Sequence, residues 1–320
     1  MMMHDSSPLV SIGVPVYNGE KYLSECLASI LAQTYANWEC FVINNQSTDR
    51  TPEIAEEYSR KDPRLKVVTN PEFVDMTTNF NNTIKPINDS SKYFKVVCAD
   101  DWLFPEYLEK TVALMEKNPG AGFCSSYRID GRKVSCQGLN IMDGSLFNGK
   151  DILRLQLMDT IDITGSETTV LYRMEALKRI STFPVIYSYS SYHFDTTLAF
   201  ELLSMYDVAF VFQVLSFTRR HEETYTSKYV DRFRTSLNFR EQELHRYRSE
   251  IPGIEKEYKT IRAYYGLYLL KCKLKGDTKS LDWHDKHLHK DRRFTMSEYV
   301  RCLWYVLIFK INYKLKGKKA

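Results

Sequence analysis

Two adjacent carboxylates, Asp100 and Asp101, follow the run Tyr93-Phe94-Lys95-Val96-Val97-Cys98-Ala99 and precede Trp102-Leu103-Phe104-Pro105. Neighbouring charges of one sign repel unless a cation shares them, and a hard divalent ion carrying phosphates is the usual solution. The competing reading is a solvated turn in which Asp101 only caps the next helix. The run before the pair shows little alternation, as expected of a central parallel strand covered on both faces. Pro105 suits the first turn of a helix, where its missing N–H costs nothing. The pair therefore belongs at the carboxyl end of a buried strand, where open α/β sheets bind ligands.

The elements upstream favour the ligand-binding reading. Leu9-Val10-Ser11-Ile12-Gly13-Val14-Pro15-Val16 reads as a strand and Tyr17-Asn18-Gly19 as its terminating turn. From Glu20 the apolar positions Tyr22, Leu23, Cys26, Leu27, Ile30 and Leu31 form one buried helix face. Glu39-Cys40-Phe41-Val42-Ile43 is a second strand, ending in Asn44-Asn45-Gln46-Ser47-Thr48-Asp49, and Thr51-Pro52 opens a second helix. Leu65-Lys66-Val67-Val68 is a third strand. This alternation continues to about residue 127 and implies parallel strands joined by right-handed crossovers.

These segments together resemble the family 2 glycosyltransferases with the nucleotide-binding GT-A fold. The match runs through Val10 to Gly19, Ser29-Ile30-Leu31-Ala32-Gln33-Thr34-Tyr35, Ser47-Thr48-Asp49-Arg50-Thr51 and Cys98-Ala99-Asp100-Asp101-Trp102. It covers residues 8–226 and is clearest over the first 130. The resemblance implies a Rossmann-like, mixed but mostly parallel sheet flanked by helices. It implies a catalytic domain over 8–227, with a nucleotide-binding half at 8–128 and an acceptor half at 129–227. The implied reaction moves a sugar from a nucleotide diphosphate donor, expected to be UDP-linked, to a hydroxyl acceptor with inversion.

By resemblance, Asp100 and Asp101 form the acidic site for Mn²⁺ or Mg²⁺ and a ribose hydroxyl. The family often has Asp two positions before Asp100, where this chain has Cys98, a poor ligand for hard ions. Pro15, Tyr17 and Asn18 correspond to the family's base-binding edge. Where the family usually carries Asp before its Ser-Thr-Asp triplet, this chain has Asn44 and Asn45. An amide still offers donor and acceptor to a uracil edge but loses a charge-assisted bond; a tight turn is the alternative. Asn79 and Asn81 match a further nucleotide-site segment, with helix surface polarity as the alternative.

The resemblance places a general base at a helix start about a hundred residues after the acidic pair. Asp195 fits, since Leu198, Ala199, Leu202 and Leu203 follow as an apolar stripe; an N-cap is its other reading. Phe194 replaces the Glu that usually precedes this Asp, and His193 is the competing base, titrating nearer neutral pH. Arg219, His221 and Thr226 match an Arg-x-His segment with a later Thr, where cations offset charge on a diphosphate. A solvated basic loop is the alternative. Gly165-Ser166-Glu167-Thr168 lies where family members shape the acceptor pocket.

Composition agrees without discriminating: 320 residues, 43% hydrophobic, 26% charged and net charge +4, enough for one substantial core and an appendage. Seven cysteines without a CxxC pair, and no export signal, imply reduced thiols in the cytoplasm. The sequons at Asn45, Asn81 and Asn88 would then stay unmodified. Residues 228–320 read as a helical appendage, with a helical run from Glu255 to Lys275. His284, His287 and His289 lie among charges on what reads as a solvated face rather than a metal cluster. The apolar run Cys302 to Phe309 is too short to span a bilayer. With Lys310, Lys314, Lys316, Lys318 and Lys319 beyond it, it suits an interfacial anchor on an anionic membrane; a helix packed on the protein is the alternative. The expected partners are thus a nucleotide-sugar, a glycan or lipid-linked glycan acceptor in surface polysaccharide synthesis and a membrane face, with no nucleic acid. Two other functions stay open: a sugar-1-phosphate nucleotidyltransferase, whose Gly-rich basic loop is absent after the first strand, and a sugar-nucleotide-binding protein weakened in catalysis.

Overall fold

The computed structural model describes residues 7–135, 145–158, 160–187, 193–222, 232–287 and 294–316. Strand β1 (Val10–Val16) is buried along its whole length, which explains its apolar, non-alternating sequence. It pairs in parallel with β2 (Trp38–Asn44) on one side and β4 (Tyr93–Val96) on the other, and β2 pairs in parallel with β3 (Leu65–Thr69). Helix α1 (Leu23–Leu31) buries Leu23, Cys26, Leu27 and Ile30 in the main core. Helix α2 (Thr51–Lys61) carries Pro52 in its first turn. Helix α3 (Met76–Asn82) is capped by Asp75, which accepts a bond from the Thr78 N–H at 3.1 Å.

The sheet order is β3-β2-β1-β4-β9-β6-β10-β5. The chain runs outward from β1 to β3 and then returns to place β4 on the other side of β1. The carboxyl ends of β1 and β4 therefore flank a topological switch point, where open α/β sheets bind ligands. The other half is built on β6 (Ala121–Asp130), parallel to β10 (Asp207–Thr218), with β9 (Leu171–Arg173) antiparallel between β4 and β6. The long pairings are parallel and the antiparallel ones short, giving the expected mixed, mostly parallel sheet.

One local expectation changes. Trp102–Leu103 is not the approach to a helix but a short strand, β5, antiparallel to Phe217 and Ser216 of β10. Trp102 stacks on Phe217 at 3.7 Å between ring centres. The helix starts later, as α4 (Tyr107–Lys117), so Asp101 caps nothing. Strands β7 (Lys133–Ser135) and β8 (Leu146–Phe147) lie off the main path, paired with β6 and β10. Helices α5 (Gly149–Leu157), α6 (Met174–Leu177) and α7 (Phe194–Met205) complete this half.

The described residues fall into two compact units, one holding 7–187 with 193–222 and the other beginning at 232. The expected boundary at 227/228 lies outside the described residues. The second unit is helical, as expected, with α8 (Arg232–Tyr247), α9 (Glu255–Lys275), α10 (Thr278–His287) and α11 (Met296–Lys316). Tyr265, Leu269 and Tyr299 form one of its apolar clusters, and Ala263, Cys302 and Val306 another. His284 departs from the solvated face expected of it: it is buried, with Nδ1 2.5 Å from the Tyr265 hydroxyl. The side chain of His287, and His289 altogether, lie outside the described residues. No helix among the described residues is long and apolar enough to cross a membrane.

Candidate active site

The acidic pair sits in a tight turn beyond β4, closed by the Asp101 N–H donating to the Cys98 carbonyl at 2.9 Å. Its two carboxylates have different environments. Asp101 is 3% exposed and both of its oxygens are engaged: Thr168 Oγ1 donates to Oδ2 at 2.7 Å and the Arg219 N–H to Oδ1 at 2.9 Å. Burial, reinforced by the neighbouring Asp100 charge, pushes its pKa up to about 7. The Asp100 side chain keeps about a third of its surface open, and its Oδ2 lies 3.1 Å from His221 Nε2. A shared ion at both carboxylates thus meets an obstacle at Asp101, whose oxygens already serve the protein.

Arg219 leaves β10 directly above the pair. Its Nε donates to the Asp100 carbonyl at 3.0 Å and its Nη2 to Glu25 at 2.6 Å. The guanidinium lies 4.3 Å from the Tyr22 ring centre and 5.0 Å from that of Trp102. Nη1 has no hydrogen-bond partner among the described residues, so its two N–H groups and the second one on Nη2 remain for an anion. Arg219 and His221 therefore both contact Asp100. Thr226 lies outside the described residues.

Beneath the pair is a buried polar cluster that sequence reasoning did not assemble. Lys95 donates to the carbonyls of Glu167 (2.9 Å) and Val170 (3.0 Å). The Glu167 carboxylate receives the hydroxyls of Tyr172 at 2.9 Å and Tyr187 at 2.8 Å. Burial raises the Glu167 pKa to about 7 and lowers that of Lys95 to about 7. The one available signal was Lys95 itself, a charge inside an apolar strand, which demands buried partners. Within Gly165-Ser166-Glu167-Thr168, expected to shape an acceptor pocket, Glu167 and Thr168 are buried and Thr168 supports the acidic pair.

On the nucleotide side, Asn18 takes a left-handed conformation (φ 50°), which asparagine tolerates. Its N–H donates to Ser47 Oγ at 3.0 Å and its Oδ1 accepts the Thr48 N–H at 2.8 Å, joining the loops after β1 and β2. Tyr17 is half exposed and meets Phe73, 60% exposed, edge to face at 4.9 Å. Phe73 escaped the sequence reading because nothing in its local pattern separates a loop aromatic from a core one. Pro15 is buried within β1.

Of the asparagines expected to contact the nucleotide, Asn44, Asn45 and Asn79 are buried and bonded within the protein. Asn45 clips the backbone of Val74, donating to its carbonyl at 2.7 Å and accepting its N–H at 3.0 Å. Asn70 donates to Asn45 Oδ1 (2.9 Å) and to Asn79 Oδ1 (2.8 Å). Asn44 accepts the Ser47 N–H at 3.1 Å and donates to Thr69 at 3.3 Å. Asn81, weighed with Asn79, pairs through both ends of its amide with the Tyr187 backbone at 2.9 Å. These amides organise the loops around the switch point.

Asp195 lies in the first turn of α7, but the N-cap is His193. Its Oδ1 accepts the N–H of Thr196 at 2.7 Å. Burial holds its pKa above the ordinary carboxylate range, partly opposed by the His193 imidazole, whose own pKa burial lowers. The Asp195 charge is felt at Glu167, whose neighbour Thr168 holds Asp101. Phe194 packs against Tyr187 and Phe80 at 5.0 and 5.1 Å.

Asp100 offers a carboxylate oxygen suited to Mn²⁺ or Mg²⁺, while the imidazole nitrogen of His221 suits Mn²⁺ better than the harder Mg²⁺; a diphosphate and water would fill the remaining positions. No group of three or more such ligands occurs among the described residues. Cys98 is unsuited, because a soft sulfur is a poor partner for these hard ions.

Residues 11–181 match the family described as glycosyl transferase family 2. An uncharacterized glycosyltransferase of Rickettsia typhi is 30% identical over 230 residues, 71% of this chain and 69% of that protein. Over shorter stretches, an uncharacterized glycosyltransferase of Haemophilus influenzae is 39% identical, covering 38% of each chain. An Escherichia coli UDP-Glc:alpha-D-GlcNAc-diphosphoundecaprenol beta-1,3-glucosyltransferase is 35% identical, covering 38% of this chain and 46% of its own. The chain thus spans under half the length of these last two. Among solved structures, Staphylococcus aureus TarS 1-349 with UDP-GlcNAc superposes with TM-score 0.59 at 20% identity, over 80% of this chain and 71% of its own. A Pyrobaculum calidifontis mannosyltransferase with GDP-Man and Mn²⁺ gives 0.55 at 16%, over 93% and 86%. At these identities the likeness is one of fold.

Proposed function

The chain belongs to glycosyltransferase family 2, and from that premise we propose an inverting transfer of a sugar from a UDP-linked donor to a glycan or lipid-linked hydroxyl acceptor. The observation that carries the reading is the convergence of Asp100, His221 and Arg219 at the carboxyl ends of β4 and β10. Asp100 and His221 would hold a divalent ion, which when bound neutralises charge on the diphosphate. Asp101 acts differently, as the buried anchor that holds the Arg219 backbone and so the arm above the site. Arg219 offers the N–H groups of Nη1 to the departing diphosphate, a placed charge worth most where water is excluded. Tyr17 and Phe73 offer a base an exposed aromatic platform, replacing the buried asparagines in that role. Asp195 accepts the acceptor hydroxyl's proton as its oxygen attacks the anomeric carbon and the sugar–phosphate bond breaks.

The E. coli relative's name supports the UDP donor and the lipid-linked acceptor, and TarS, solved with UDP-GlcNAc, supports the donor class. Family membership leaves the nucleotidyltransferase alternative without support. Calorimetry of UDP binding with Mn²⁺ and with EDTA tests the site. Mn²⁺ should tighten binding, and Asp100→Asn should remove that increment in a folded protein. Equal affinity in both buffers would take the metal out of the reading.

A membrane-facing location is favoured by α11. One side of it buries Tyr299, Cys302 and Val306, while Val300, Leu303, Trp304 and Leu307 stay about half or more exposed. An apolar stripe with a tryptophan, followed by the C-terminal lysines, suits reversible docking on an anionic cytoplasmic leaflet.

A further inference from the structure

Lys95 lies within a strand buried on both faces and is wholly shielded from water. A buried ammonium persists only where protein groups replace its hydration. Here Nζ donates to the carbonyls of Glu167 and Val170 and lies 4.8 Å from the centre of the Tyr107 ring. Those carbonyls bracket the single 3₁₀ turn Glu167–Thr169. The Tyr107 hydroxyl holds the same turn by donating to the Thr169 carbonyl at 2.9 Å.

The side chains of Ser166, Glu167 and Thr168 reach different parts of the site. Thr168 donates to Asp101 at 2.7 Å and accepts the Cys98 N–H at 3.1 Å, gripping the acidic loop at two points. Ser166, just before the turn, lies 3.1 Å from the hydroxyl of Thr218, which immediately precedes Arg219. Glu167 ties the turn to Tyr172 and Tyr187. One short segment thus joins the acidic loop to the strand end that carries Arg219 and His221, and Lys95 is its support from within the sheet.

We propose that Lys95 is a positioning residue for the acidic pair: its ammonium locks the Glu167–Thr169 turn so that Thr168 holds Asp101, and Asp101 in turn sets the Arg219 arm over Asp100. Its catalytic consequence rests on the donor-site reading above, whereas its geometric content does not. The test uses the full chain with Lys95→Met, Thr168→Val and Thr168→Ser, following hydrogen exchange in peptides covering residues 96–103 and 216–221. Lys95→Met and Thr168→Val should speed exchange there by about tenfold or more, while β2 and β3 stay protected and Thr168→Ser behaves like the parent. In the same two variants, Mn²⁺-dependent UDP binding should weaken by roughly tenfold.

A folded Lys95→Met protein with unchanged exchange at these peptides, or with exchange raised evenly across the sheet, would overturn the proposal. Should Lys95→Met fail to fold, equal exchange in Thr168→Val and Thr168→Ser overturns it instead. If the parent chain binds no UDP with Mn²⁺, the donor-site reading falls, and the exchange measurements still decide the positioning role.

Discussion

Replacing Asp195 by asparagine removes a proton-accepting charge and little else. Its Oδ1 accepts the Thr196 N–H at 2.7 Å, a bond the asparagine carbonyl can reproduce, so the start of α7 should survive. What is lost is general-base catalysis, typically 10²–10⁴-fold, or about 2.7–5.4 kcal/mol of transition-state stabilisation. The pH profile gives a second handle. Burial raises the Asp195 pKa, and a base works only when deprotonated. Activity should therefore rise with pH through a limb displaced above the ordinary carboxylate range, and the asparagine variant should lack that limb. The assay is donor-dependent transfer measured across pH, with UDP affinity determined in parallel; affinity should change by less than about threefold, because the base acts on the acceptor. Near-parental turnover in Asp195→Asn, together with loss of turnover in His193→Ala, would refute the reasoning and move the role to His193.

Arg219→Lys keeps the charge but loses the Nε bond to the Asp100 carbonyl and the flat packing on Tyr22, so kcat/KM should fall by roughly 10–100-fold. An unchanged value in steady-state kinetics would remove Arg219 from the diphosphate. Gly149→Ala would set a Cβ 1.9 Å from the Tyr206 carbonyl oxygen, where backbone cannot easily yield, and should destabilise the fold by about 3 kcal/mol or more in denaturant unfolding. Deleting residues 299–320 should release the protein from anionic liposomes in cosedimentation, and high salt should weaken binding of the intact chain; an intact chain that never sediments with lipid rules out the anchor.

Much of the nucleotide-binding half was legible in the chain. The buried strands β1, β2 and β4 announce themselves by largely apolar runs with little alternation, and α1 by its i, i+3/i+4 stripe. Their alternation alone places Asp100 and Asp101 at a strand's carboxyl end. Such patterns report which face of an element is covered, and that suffices for topology when crossovers are short. They do not report which atom meets which. Trp102–Leu103 looks like a helix approach locally, yet becomes a strand because Ser216 and Phe217 offer it a ladder.

The same limit separates the site's residue types from their roles. From sequence, the two aspartates are equivalent acids. Tertiary structure divides them, since the partners that bury Asp101 lie 67 and 118 residues away, at Thr168 and Arg219. Asn44, Asn45 and Asn79 are polar residues near a ligand-binding loop in one dimension and buried loop clips in three. Lys95 is an oddity in an apolar strand until the Glu167–Thr169 turn, folded against it, supplies the two carbonyls that make its burial tolerable. Local periodicity was enough to locate the main strands and helices of the nucleotide-binding half, their order and where the acids emerge. Which acid stays open to solvent and which becomes an anchor was decided only by the tertiary structure, because desolvation and hydrogen bonding depend on groups distant in the chain.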